Sequence, residues 1–405
     1  MIKIYTAPAI AQPWLDRHCL RMRGESSLNP PLFACVLGFT ATGLIEGISA
    51  AGATAAARTT TAIADAEFLA LGATISFPLP PLIAGASPVL ISRAAIAELA
   101  FPYVIIDAGL PIKPTIPHLT LGNTPAQCLS TGQALSRKVV TDLFWQGYKQ
   151  GQAWAESDAD YLILSECVVG GTTTALAVLT ALGFAAHQKV NSSHPICNHE
   201  QKWQLVQQGL NSAGWIDSAT TPQNVDPENP ALALINAPLD PFAIVAAVGD
   251  PMQITVAGMV LGAIHPQAQS STPTISGKDI LLAGGTQMLA VYALAARLAA
   301  VLDLPWLPER IIVGTTRWVA EDPTGNTVAL AEILGNVPLV ATQLSFADSI
   351  YEQLRAYERG FVKEGVGAGG AAIAASLWAN WGQTELLNAV EVQMSRVIAA
   401  SQHNQ

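Results

Sequence analysis

Two carboxylates draw attention because glycines and threonines surround them. Glu166 follows the apolar run Tyr161–Ser165 and precedes Gly170-Gly171-Thr172-Thr173-Thr174. A strand that ends on an acid, turns on two glycines and enters a helix through three hydroxyls would set a carboxylate beside free backbone N–H groups. The helix dipole and the hydroxyls would add to the attraction for an anion. No Gly-Lys-Ser/Thr follows, so this is not a Walker A loop; taken alone, the threonines also fit plain helix caps. Glu364 lies in Lys363-Glu364-Gly365-Val366-Gly367-Ala368-Gly369-Gly370. A lone acid with so little side-chain solvation can rise toward the useful range of a general base. From this feature alone, a solvated loop acid fits as well.

Two more apolar runs end in the same way, at Gly284-Gly285-Thr286 and at Gly314-Thr315-Thr316. Three Gly/Thr strand ends predict a phosphorylated small molecule across a sheet edge, although Gly and Thr are also ordinary loop residues. Two other groupings carry less. Glu321-Asp322-Pro323-Thr324-Gly325 resembles the acidic loop of diphosphate-dependent phosphoribosyltransferases, but its strand has already ended at Gly314, and Pro and Gly fit a surface turn. His194, Cys197 and His199 are three soft ligands within six residues, at a spacing unlike the usual zinc patterns. No metal is expected.

The elements that would position these groups follow one rhythm: a short apolar run, a Gly/Thr turn, then an Ala/Leu-rich helical stretch. Strands are expected at Phe33–Leu37, Tyr103–Asp107, Tyr161–Ser165, Ile280–Ala283, Ile311–Gly314 and Pro338–Ala341. Helices are expected at Thr172–Leu182, Gln287–Leu302, Asn326–Leu334 and Ala371–Trp381. The alternation predicts an α/β fold with a doubly wound, mainly parallel sheet covered on both faces. Residues 30–345 would form this core, and 1–29 with 346–405 a smaller helical part. Pro222–Pro230 reads as a loop.

Composition narrows the function classes. Of 405 residues half are hydrophobic, but only 6% are aromatic and 12% charged, which excludes a disordered chain. The 32 glycines and 26 prolines exclude a long coiled coil. A net charge of −10 leaves no basic stripe for a phosphodiester backbone, so no nucleic-acid partner is expected. The mean hydropathy of +0.35 raises the question of a membrane span. The uncharged runs Phe68–Ser92 and Cys167–Gln188 are broken by prolines and by Gly/Thr, and Met1–Thr6 is no signal peptide. Five cysteines without a CxxC pair fit reduced thiols. A cytoplasmic protein is expected.

In collinear order over residues 30–380, the motifs resemble the nicotinate-nucleotide:dimethylbenzimidazole phosphoribosyltransferase family of cobamide biosynthesis. The resemblance is to its divergent archaeal and cyanobacterial branch, carried as an uncharacterised family. Ser165–Thr174 resembles the family's Gly-Glu-Met-Gly-Ile-Gly-Asn-Thr-Thr loop. Lys202-Trp-Gln-Leu-Val-Gln-Gln-Gly-Leu is similar to its Lys-bearing helix, and Asp240-Pro241…Gly249 to its Asp-Pro-Leu-Glu segment. Asp107-Ala-Gly109, Gly47-Ile48-Ser49 and Glu364-Gly365-Val366-Gly367-Ala368 have similar counterparts.

The resemblance implies a Rossmann-like homodimer that moves phosphoribose from nicotinate mononucleotide to a benzimidazole nitrogen, with no cofactor. Glu364 would be the general base. Glu166, Gly170, Thr172, Thr173 and Lys202 would hold phosphate and ribose. Gly171, Thr174, Gly284, Gly285, Thr286, Thr315, Thr316, Gly365 and Gly367 complete the expected nucleotide site. Gly38, Thr40 and Ser49 are expected in the base pocket. One departure falls in that pocket: Gly38-Phe39-Thr40 replaces the family's Asp-His-Gly. Gly171 replaces an Asn, Val168 a Gly, and Ser345–Phe361 is inserted before Glu364. They leave open a different azole or purine-like acceptor, a different donor, or a non-catalytic nucleotide binder.

Overall fold

The computed structural model describes residues 1–20, 29–79, 85–216, 236–264 and 277–403; Pro222–Pro230 lies outside the described residues. In chain order the elements are β1 (Ile2–Ile4), α1 (Pro8–His18), β2 (Leu32–Leu37), α2 (Ala55–Leu71), α3 (Val89–Glu98), β3 (Tyr103–Asp107) and β4 (Leu119–Thr120). Then come α4 (Arg137–Ala155), β5 (Tyr161–Cys167), α5 (Gly171–Ala181), α6 (His199–Ser212), α7 (Pro241–Val248) and α8 (Pro251–Ile264). The last third holds β6 (Asp279–Ala283), α9 (Thr286–Val301), β7 (Ile311–Thr316), α10 (Thr327–Ile333), β8 (Leu339–Thr342), α11 (Ala368–Ala379) and α12 (Gln383–His403).

The sheet order is β1-β8-β7-β6-β5-β2-β3-β4, parallel throughout except for β1, which runs antiparallel to β8. The central strands are apolar along their length because both faces are covered. Ala34, Val36, Leu162, Leu164, Ile280 and Leu282 face a core built with α4 to α10. Their neighbours Phe33, Cys35, Ile163, Leu281 and Ile312 face a second core built with α1, α2, α3, α11 and α12. The two-residue period of a strand thus sorts one sequence into two cores.

On the first face, α4 and α8 approach closely. A Cβ on Gly147 would stand 2.2 Å from the Thr255 carbonyl, and one on Gly258 2.3 Å from that of Phe144. On the other face the expected helical part takes a different form. Residues 2–4 are a strand of the sheet. The following α1 is anchored below the strands, where His18 packs on Tyr161 and bonds the Asp279 carboxylate at 3.0 Å. At the far end of the chain, α11 lies over β6, β7 and β8, and α12 lies on α3. Among the described residues no helix is long and apolar enough to cross a membrane.

Strands β2 to β4 are laid down outward on one side, and β5 to β8 outward on the other. The chain direction therefore switches between β2 and β5, which leaves a crevice beyond their carboxyl ends.

Candidate active site

A cleft partly open to solvent occupies that crevice. Strand β5 delivers Glu166 to its floor, only 3% exposed. The chain then turns at Gly170, whose φ of +86° puts it in the left-handed region as the residue before α5. A Cβ there would stand 2.7 Å from the Gly43 nitrogen, so glycine is required on both counts. A side chain at Gly171 would meet a movable neighbour. Its Cβ would lie 1.7 Å from Gln287 Oε1, because the Gln287 side chain of α9 fills that space. Gln287 lies beside Glu166 and helps to hold its carboxyl down, and the Gln287 Oε1 is buried without a partner. The N-termini of α5 and α9 both open on the cleft through Gly171, Thr172, Gly285 and Thr286.

Glu364 reaches the same cleft from the loop before α11. Its Oε2 accepts from Thr316 N at 2.8 Å and from Thr315 Oγ1 at 3.0 Å. Its Oε1 accepts from Gly365 N and Gly369 N, each at 3.1 Å. Burial nevertheless pushes the Glu364 carboxyl up to about 7, against the pull of these four donors. Glu166 is pushed up to about 8, by burial first and then by the nearby charge of Glu364.

The Glu364 loop is strained. Val362, Lys363 and Val366 have φ of 67°, 70° and 53°, a region that costs a non-glycine residue on the order of 1–3 kcal/mol. Its surroundings hold it there. Lys363 forms an ion pair with Asp322, the two side chains only 1% and 3% exposed. Val362 N donates to the Ser193 carbonyl at 3.2 Å, Val366 N to that of Glu166 at 3.0 Å, and Thr316 Oγ1 to that of Lys363 at 2.6 Å.

Of the residues expected from the sequence, Ser49, Glu166, Gly170, Gly171, Thr172, Gly285, Thr286, Glu364 and Gly365 line the cleft. The others do not, for reasons of packing. Lys202 is fully buried, and its Nζ donates to the carbonyls of Val190 and Asn191 at 2.6 and 2.8 Å; it props the wall loop from behind. Thr174 turns into the core, its hydroxyl 2.5 Å from Asp250 Oδ2, and Thr173 is fully buried beside it. Thr315 and Thr316 hold Glu364. Gly284 packs against Met288, and Gly367 sits under β5 against Ser165. Gly38 donates to the Cys167 carbonyl, and Thr40 is buried against Thr42 and Gln127, so this part of the expected base pocket lies outside the cleft.

The three soft ligands each have protein partners, and His199 also lies beside the Cys197 thiol. His194 Nε2 meets the Gly47 carbonyl and His199 Nε2 the Thr324 carbonyl, while Cys197 Sγ lies 3.4 Å from Asn191 Oδ1. The acid of the phosphoribosyltransferase-like loop, Asp322, is the partner of Lys363.

Comparison with known proteins places the chain. The UPF0284 protein of Cyanothece sp. (strain PCC 7425) is 55% identical over 99% of this chain and all of that one. This chain belongs to the UPF0284 family. The Nostoc sp. (strain PCC 7120) member is 52% identical over 98% of this chain and all of its own, and the Synechocystis sp. (strain PCC 6803) member 50% over 98% and 97%. No family model matches the sequence. Among solved structures, a nicotinate-nucleotide-dimethylbenzimidazole phosphoribosyltransferase from Thermus thermophilus aligns with a TM-score of 0.51 at 16% identity, over 96% of this chain and 92% of that one. A structure titled CobT, also from Thermus thermophilus, gives 0.54 at 17%, over 95% and 92%. The UPF0284 chain therefore shares their fold.

Sequence reasoning passed over several residues of the UPF0284 cleft: Asp65, Ser87, Asn191, Ser193, Gln287 and Lys363. One signal was present. Asp65 and Glu67 interrupt an otherwise apolar, Ala-rich stretch of α2, and both are buried.

Proposed function

We propose that the protein moves phosphoribose from nicotinate mononucleotide to a ring nitrogen of an azole-containing base. The observation that carries this reading is the pairing of Glu364, poised near 7, with Glu166 in one cleft rimmed by two helix N-termini. The N–H groups at the starts of α5 and α9 are suited to the phosphate, and Glu166 to the ribose hydroxyls. Glu364 takes the proton from one azole nitrogen while the lone pair of the other forms the bond to C1′. The C1′–N bond to nicotinate breaks, its electron pair stays on the pyridine ring, and nicotinate leaves. The low-identity structural neighbours support this reading through the fold, and the collinear motifs support it through the residues. The same resemblance carries with it a homodimer in the cytoplasm.

The test is nicotinate release, followed by chromatography, from nicotinate mononucleotide and a panel of bases. Release that depends on a base and falls by about a hundredfold or more in Glu364→Gln is expected. No release with any base overturns the proposal.

A further inference from the structure

We propose that Asp65 reads the far edge of the acceptor, so that the site selects an aromatic base with an N–H donor there over one with methyl groups. This rests on the transferase reading above. Asp65 lines the cleft from α2 and is only 4% exposed. Its Oδ1 accepts from Ser87 Oγ at 2.6 Å. The partner seen for Oδ2 is Cys167 Sγ at 3.7 Å, a weak donor. Among the described residues no basic side chain forms an ion pair with it. Burial pushes the carboxyl up to about 6, which leaves it mostly ionised at neutral pH. A buried carboxylate with an under-used oxygen and no cation is costly unless something that enters the cleft supplies a donor.

Its place in the cleft says what that is. Tyr357 is buried within electrostatic reach of both Glu364 and Asp65. The Tyr357 hydroxyl donates to the Ala86 carbonyl, next to Ser87, and a Cβ on Gly365 would touch Pro88. Asp65 and Glu364 therefore bound the same end of the cleft. An acceptor that gives its azole proton to Glu364 turns another edge toward Asp65, Ser87, Thr61 and Ser49, all polar and all in the lining. An exocyclic amino group would donate to Asp65 Oδ2. Methyl groups would desolvate it and return nothing. That edge N–H is held and not consumed; the one proton lost goes to Glu364.

The experiment compares adenine, purine and 5,6-dimethylbenzimidazole as acceptors for the wild type and Asp65→Asn, with melting curves to check folding. Adenine and purine share the azole and differ by the amino group, so their ratio in the wild type needs no variant. A wild-type kcat/KM at least about tenfold higher for adenine than for purine or dimethylbenzimidazole is expected, and Asp65→Asn should bring the adenine/purine ratio close to one. Equilibrium binding of adenine and purine is measured alongside. Turnover with an adenine/purine ratio that ignores Asp65, or with dimethylbenzimidazole preferred, overturns this inference and leaves the transferase standing. No turnover, but adenine binding that depends on Asp65, removes the transferase reading and keeps the edge contact. Neither turnover nor selective binding removes both.

Discussion

Glu364 presents a problem of proton placement. A carboxylate has about four lone-pair sites, and here all four accept. Three of the donors are backbone N–H groups and cannot turn round. Only the Thr315 hydroxyl can rotate from donor to acceptor, so the incoming proton belongs on Oε2, with Thr315 reversing its bond. Since Glu364 must be ionised to act and is poised near 7, kcat/KM should rise with pH through about 7. Glu166, pushed up to about 8, still holds its proton just above that pH and can donate to a ribose oxygen. The two limbs belong to the coupled pair. Thr315→Val removes a donor that favours the ionised form, so the acid limb should move to higher pH and kcat should fall by roughly tenfold. A pH profile that stays put in Thr315→Val would mean the hydroxyl is only packing.

At the scale of elements, the loop from Val362 to Gly367 is held in its left-handed course from outside, by β5, by β7 and by the Lys363–Asp322 pair. Asp322→Asn strands a buried ammonium, which should cost about 3–5 kcal/mol in denaturant unfolding and release Glu364 from its donors. Nicotinate release should fall with it; unchanged stability and turnover would show that the pair is incidental. None of this bracing was legible in the sequence, because Lys363 and Asp322 lie 41 residues apart, the Asp322 stretch fitted a surface turn, and nothing beside Lys363 pointed to it. What was legible has a physical reason. β2, β5, β6 and β7 announce themselves because two covered faces demand an unbroken apolar run. β1 and β4, with three and two residues, are too short to carry a pattern. The strand-end motifs brought Glu166 and Glu364 to notice by their glycines. The same rule took Thr315 and Thr316 for ligand contacts, and the family resemblance took Lys202 for one, since residue type does not say whether a hydroxyl or ammonium faces the cleft or the residue behind it.

Over the whole molecule, the cleft and the core behind it gather buried carboxyls faster than cations. Asp65 and Asp250 are pushed up to about 6, Glu364 to about 7 and Glu166 to about 8, burial being the first cause for each. For such groups the folded state binds protons that the unfolded chain has already released. Their contribution to stability is complete below the ordinary carboxyl values near 4 and is lost as pH rises through 6 to 8. His187 and His194, lowered by burial and half-buried, act the other way at the lower end of this window. Cys197, whose burial is outweighed by hydrogen-bond donors that lower it to about 7, acts the other way above pH 7, but the four carboxyls outnumber these groups. A formal charge of −10 at pH 7 adds self-repulsion as the last protons leave. The ligand-free protein should therefore melt several degrees higher at pH 5.5 than at pH 8, opposite to a fold stabilised by ionised carboxylates. Glu166→Gln removes the group with the highest value, so it should flatten the upper part of the curve and raise the melting temperature at pH 8 while weakening nucleotide binding. A melting temperature that rises from pH 5.5 to 8 would mean that these carboxyls are already ionised and solvated in the empty cleft. Glu364 would then be a weaker base than its surroundings imply.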